Sequence, residues 1–134
     1  MVKTAQPRNV AFQPNLEEKE KTGIYMASYV DELATYRKNR HRPKNTMYYG
    51  LKLAEECGEL AEAVLAFEGS RRKVKKLAAQ GATPFERIVE ELGDVVNVAF
   101  LYAEQFDIPI SEVLRAGSEK LSLRRRKIAS RADG

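Results

Sequence analysis

From Ile24 to Ile128 the apolar residues return every three or four positions, and nowhere do they alternate one-in-two. That return matches the turn of an α-helix and excludes half-buried strands, so the sequence predicts an all-α protein with four core helices in an antiparallel bundle. The first helix carries Met26, Tyr29, Val30 and Leu33 on one stripe and stops near Asn39, because Pro43 pushes Arg42 out of the α region. The second starts near Thr46, taken as its N-cap, and runs to about Phe67 with Met47, Leu51, Ala54, Ala61, Val64 and Leu65 inward. Gly69-Ser70 stops it. The basic stretch Arg71 to Gln80 suits either a short exposed helix or a loop. A third helix opens on the capping box Thr83-Pro84-Phe85-Glu86 and is apolar nearly all round after Val95, which places it centrally. Ser111 is expected to cap a fourth, with Val113, Leu114, Leu121 and Ile128 inward. Residues 1–22 hold few large apolar side chains and read as a loose arm, leaving 23–130 as the helical domain.

Composition narrows the chemistry. The single cysteine, Cys57, rules out an intrachain disulfide or a CxxC zinc site, and the single histidine, His41, rules out HExxH sites. No apolar run is long enough to span a membrane and no signal peptide opens the chain, so a soluble cytoplasmic protein is expected. The formal charge of +4 permits anionic partners without requiring them.

Two windows are unusual. Glu55-Glu56-Cys57-Gly58-Glu59-Leu60-Ala61-Glu62 holds four carboxylates, and Glu90-Glu91-Leu92-Gly93-Asp94 holds three, with no base inside either. On a helix Glu56 and Glu59 share a face, as do Glu91 and Asp94, and Glu55 adjoins through Glu59. Like charges at this spacing cost about 0.2–0.5 kcal/mol per pair, so a counter-charge is expected. A hard divalent cation supplies it, since carboxylate oxygens are preferred ligands of Mg²⁺, with Mn²⁺ also suited. Gly58 and Gly93, inside these windows, are expected to let helices or a ligand approach closely. A solvated acidic face is the bland alternative. It weakens because two such windows occur, both on otherwise apolar helices. Several carboxylates allow two or more ions per site, and Mg²⁺ so held takes phosphate oxygens.

Leu53 to Glu62 followed by Glu90 to Val95 resembles the EExxE…ExxD signature of MazG-like all-α nucleoside triphosphate pyrophosphohydrolases. The tail is similar as well, in Asp107-Ile108-Pro109-Ile110, Leu114-Arg115, Lys120 and Arg124. The resemblance spans roughly 24–128. It implies a helical catalytic domain, dimeric or tetrameric, that hydrolyses a nucleoside triphosphate to the monophosphate and pyrophosphate with Mg²⁺. It further implies Glu56, Glu59, Glu91 and Asp94 as metal ligands, Glu55 as an extra ligand or the group orienting water, and Lys120 and Arg124 as phosphate partners. Asn97, one turn beyond Asp94, is a candidate contact to substrate or to a metal-held water. Ser118 stands where many relatives have Asn, the 71–80 insert is long, and the arm has no counterpart.

Three basic tracts (37–44, 71–76 and 124–127) contain 14 of the 23 Lys and Arg residues. They suit a positive rim that draws a triphosphate into an acidic cleft. The alternative function is a non-catalytic helical oligomer binding nucleic acid or a protein through those tracts, although no nucleic-acid module is visible. The expected substrate is a deoxynucleoside triphosphate, with a purine such as dGTP favoured by the long insert and the many tyrosines. The greasy third helix calls for a homo-oligomer.

Overall fold

The computed structural model describes residues 15–40, 43–69 and 71–133, and among these every regular element is helical. The helices number five: α1 (Leu16–Arg40), α2 (Thr46–Phe67), α3 (Arg71–Ala79), α4 (Pro84–Gln105) and α5 (Ile110–Ala132). The insert between the acidic windows is therefore helical. None of the five is long and apolar enough to cross a membrane.

The chain divides into two compact units, Met1–Arg42 and Pro43–Gly134. In the first, α1 begins well before the expected Ile24. Asn15 accepts a 2.9 Å hydrogen bond from the Glu18 amide, and Lys21 pairs with Glu17 at 3.4 Å one turn on. Residues 16–22 are thus helical, held by a cap and a local ion pair rather than by apolar burial. The rest of the expected arm, residues 1–14, lies outside the described residues.

In the second unit α2 and α4 form an antiparallel pair. Asn45 at the start of α2 donates its amide to Gln105 at the end of α4 (2.7 Å), and Lys44 pairs with Asp107 just beyond it. Asn45, not Thr46, caps α2, accepting from the Tyr48 amide at 2.9 Å. The chain turns away just past the helix at Gly69, whose φ of 99° suits a residue without Cβ. The capping box at α4 is complete: Thr83 accepts from the Glu86 amide (3.2 Å), and Glu86 accepts from the Thr83 amide (3.0 Å). Thr83→Ala should cost about 1 kcal/mol, read as a lower urea midpoint with an unchanged slope. Ser111 does not cap α5; Pro109 occupies that position with no side-chain bond.

The shielded side of α2 differs from the expected one. Tyr49, Glu56, Ala63 and Ala66 are buried, whereas Met47, Leu51, Ala54, Ala61, Val64 and Leu65 are all exposed. α4 shows the same division. Val98, Phe100 and Leu101 are buried with Glu91, while Phe85, Val89, Leu92 and Val96 line up at i, i+4, i+7 and i+11 on an exposed stripe. On α5 no residue is buried; Val113 is half-buried, and Leu114, Leu121 and Ile128 face out. Apolar periodicity marks greasy faces on α2 and α5, and within this chain those faces are not the covered ones.

Gly58 and Gly93 do not mediate the α2–α4 contact, since a Cβ at either would meet nothing within 4 Å. The close approach is at Gly50, where a Cβ would stand 3.3 Å from Tyr102 Oη.

Candidate functional site

The antiparallel pairing brings the two acidic windows together. Carboxylate oxygens of Glu56, Glu59 and Glu91 lie within 4.8 Å of one another. Glu91 is completely buried and is the largest fully buried side chain among the described residues. Glu56 is buried too, and Glu59 is the open member of the three. Both oxygens of Glu91 lack a hydrogen-bond partner, although Arg87 Nη2 stands 2.5 Å from Oε1. The charges touch, but no N–H is aimed along the contact. Burial raises the Glu91 carboxyl above the usual range; Arg87 opposes that rise, and Glu59, Asp94 and Glu56 add to it.

The remaining sequence-predicted residues are dispersed around this centre. Asp94 is exposed on α4, outside the group of three yet near enough to act on Glu91 through its charge. Glu55 is exposed beside Glu56, and Asn97 is exposed one turn beyond Asp94. Lys120 and Arg124 are exposed on α5 and do not line the pocket next to the acids. That pocket, about 150 Å³, lies among α2, α3 and α4. Glu59, Glu62 and Glu91 line it with Lys73, Lys76 and Arg87. Lys73 bonds Glu62 at 2.8 Å and, with Lys76, holds that carboxyl below its usual range. The insert helix thus sets two lysines beside the acids.

Two bases escaped the sequence reading because they stand just outside the acidic windows. Lys52 Nζ lies 3.1 Å from both Glu55 and Glu56, and Arg87 contacts Glu90 (3.2 Å) and Glu91. Glu55, Glu56, Glu90 and Glu91 therefore already have counter-charges, which corrects the expectation that a divalent cation must supply them. A signal was available in the sequence. Lys52-Leu-Ala-Glu-Glu-Cys-Gly-Glu59 and Arg87-Ile-Val-Glu-Glu-Leu-Gly-Asp94 are one octapeptide pattern written twice, each with its base three and four residues before a Glu pair.

The three clustered oxygens suit a small divalent cation. Octahedral Mg²⁺ with bonds near 2.1 Å spaces its ligands by about 3 to 4.2 Å, within modest side-chain adjustment of this group. A fully buried carboxylate without hydrogen bonds also stands to gain from such an ion.

Over 72 residues the chain is 35% identical to the uncharacterized protein YvdC of Bacillus subtilis (strain 168), covering 54% of this chain and 68% of that protein. No solved structure matches it. Residues 41–129 match the family model described as the MazG nucleotide pyrophosphohydrolase domain. Since that stretch takes in α2, α3, α4 and most of α5, and with them both acidic helices, the chain belongs to the MazG nucleotide pyrophosphohydrolase family.

Proposed function

We propose that the protein hydrolyses a nucleoside triphosphate, most suitably a purine deoxynucleotide such as dGTP, to the monophosphate and pyrophosphate in a Mg²⁺-dependent reaction. The observation that carries this reading is Glu91: a carboxylate with no access to water and no hydrogen bond, facing Glu56 and Glu59 on the neighbouring helix. Glu56, Glu59 and Glu91 would hold the ion, with Asp94 completing the set from the next turn of α4. Mg²⁺, when bound, supplies the charge that polarises the phosphate and makes water acidic enough to attack, and the acid count allows more than one ion.

The chain's own groups do the rest. Glu55, fixed by Lys52, orients the water toward the α-phosphorus. The α–β phosphoanhydride bond breaks and pyrophosphate leaves. Lys120 and Arg124 neutralise the departing charge, an assignment carried by motif position, and Asn97 contributes a polar contact to the substrate. Lys73 and Lys76 add positive potential at the pocket mouth.

A panel of the eight common NTPs and dNTPs, with products resolved, tests this. Monophosphate and pyrophosphate should appear in equal amounts, vanish with EDTA and return with excess Mg²⁺. Release of diphosphate and orthophosphate, or turnover indifferent to EDTA, would overturn it.

The outward apolar stripes support self-association, as a dimer or tetramer. Seventeen large apolar side chains of the described part of Pro43–Gly134 are exposed, against seven buried apolar residues. An exposed apolar stripe such as Phe85, Val89, Leu92 and Val96 marks an interface more often than a free surface.

A further inference from the structure

The bases facing the acid cluster form a repeated arrangement. In both copies of the octapeptide the carboxylate is the inner partner and the base the outer one. Glu91 has none of its side chain exposed against 37% for Arg87, and Glu56 has 11% against 30% for Lys52. Each base also holds a second, exposed carboxylate one residue away: Glu90 at 3.2 Å for Arg87, and Glu55 at 3.1 Å for Lys52. A base leaving the inner acid therefore moves toward solvent, displaces no helix, and keeps an ion pair on arrival.

We propose that Arg87 and Lys52 are stand-in cations, which neutralise Glu91 and Glu56 while the site holds no metal and swing onto Glu90 and Glu55 when a divalent ion enters. The inference rests on the reading that Glu56, Glu59 and Glu91 are the ligands. Without a counter-charge, Glu91 would be an unpaired buried anion, and the empty site would strain the α2–α4 pair. With one, the pair folds first and admits the ion afterwards. The consequence is a deliberate weakening of metal affinity, because binding must break two ion pairs and bring a dication close to two retained positive charges.

The test is a calorimetric Mn²⁺ titration of the metal-stripped full chain, with thermal unfolding in EDTA and in Mn²⁺. Arg87→Met should bind Mn²⁺ about three- to tenfold more tightly than wild type, since a competing charge has gone. Its metal-free form should melt lower, so its metal-induced rise in Tm should be larger. Lys52→Met should shift affinity in the same direction by less, because its partner Glu56 is less completely buried than Glu91. Glu90→Gln works oppositely: it leaves Arg87 with Glu91 alone, and Mn²⁺ should bind about two- to fivefold more weakly. If Arg87→Met folds only with Mn²⁺ present, that supports the proposal; if it never folds, Lys52→Met and Glu90→Gln decide. Variants that bind Mn²⁺ as wild type does, or with the opposite signs, overturn the stand-in role alone. Wild type that takes up no Mn²⁺ overturns the ligand assignment and the stand-in role together.

Discussion

Glu91→Gln should abolish turnover and yet leave the metal-free protein at least as stable as wild type. The loss of rate follows from removing a ligand charge at the centre of the cluster, for which a fall of about 10²- to 10³-fold is the usual scale. The stability result follows from burial. Desolvation, the largest influence on this carboxyl, raises its pKa in the folded chain. A raised carboxyl contributes stability below the unfolded pKa, and that contribution is lost as pH rises through the folded pKa. Above that folded pKa the ionised Glu91 is therefore a liability that Gln lacks. In EDTA the variant should melt at or above the wild-type Tm, and the wild type should close the gap as pH falls toward the carboxylate range. With Mg²⁺ the wild type should rise and the variant should not, the ligand-linked stabilisation having gone. A variant that melts well below wild type in EDTA would show that Glu91 is a structural ion-pair partner and not a ligand held ready.

Leu51→Glu and Leu121→Glu should convert an oligomer into monomers. Both side chains are about two-thirds exposed in the single chain, where such changes ordinarily fall within about 0.5 kcal/mol of neutral. If another copy covers these stripes, each substitution buries a charge in an apolar contact, and sedimentation at micromolar concentration should fall to the 15.2 kDa species with a large drop in Tm. Gly58→Ala offers an independent arm. In a lone protomer the added methyl meets open space and should stabilise α2 by about 1 kcal/mol. Where Gly58 faces a second chain, the same methyl should weaken assembly. Wild type that sediments as a monomer, with both leucine variants near neutral and Gly58→Ala more stable, would end the oligomer reading.

How much of this was legible beforehand depends on the range of the interaction concerned. The capping box at Thr83–Glu86 is a four-residue contact and could be read outright. So could the shared face of Glu56 and Glu59, which helix geometry fixes. Pairing Glu56 with Glu91 required knowing that α2 and α4 run antiparallel in this register, which the sequence implies only through its resemblance to a family. The stripe Met47–Leu51–Leu65 looked like core because periodicity reports that a face is greasy, not which chain covers it. Lys52 and Arg87 lie outside the acidic windows, one turn before their first carboxylates, where only i,i+4 pairing connects them to Glu56 and Glu91. Asn45 and Thr46 are both competent caps, and their order could not be settled from composition.

The contact between Gly50 and Tyr102 acts as a rivet for the two acidic helices. Gly50 precedes Glu56 by six residues, so it lies about 9 Å along the axis from the ligand cluster. With the phenol 3.3 Å from where a methyl would stand, added bulk there must displace the Tyr102 ring by a few tenths of an ångström or part α2 from α4. The spacing of the two acidic helices thus depends on a contact that lies outside the acid cluster itself.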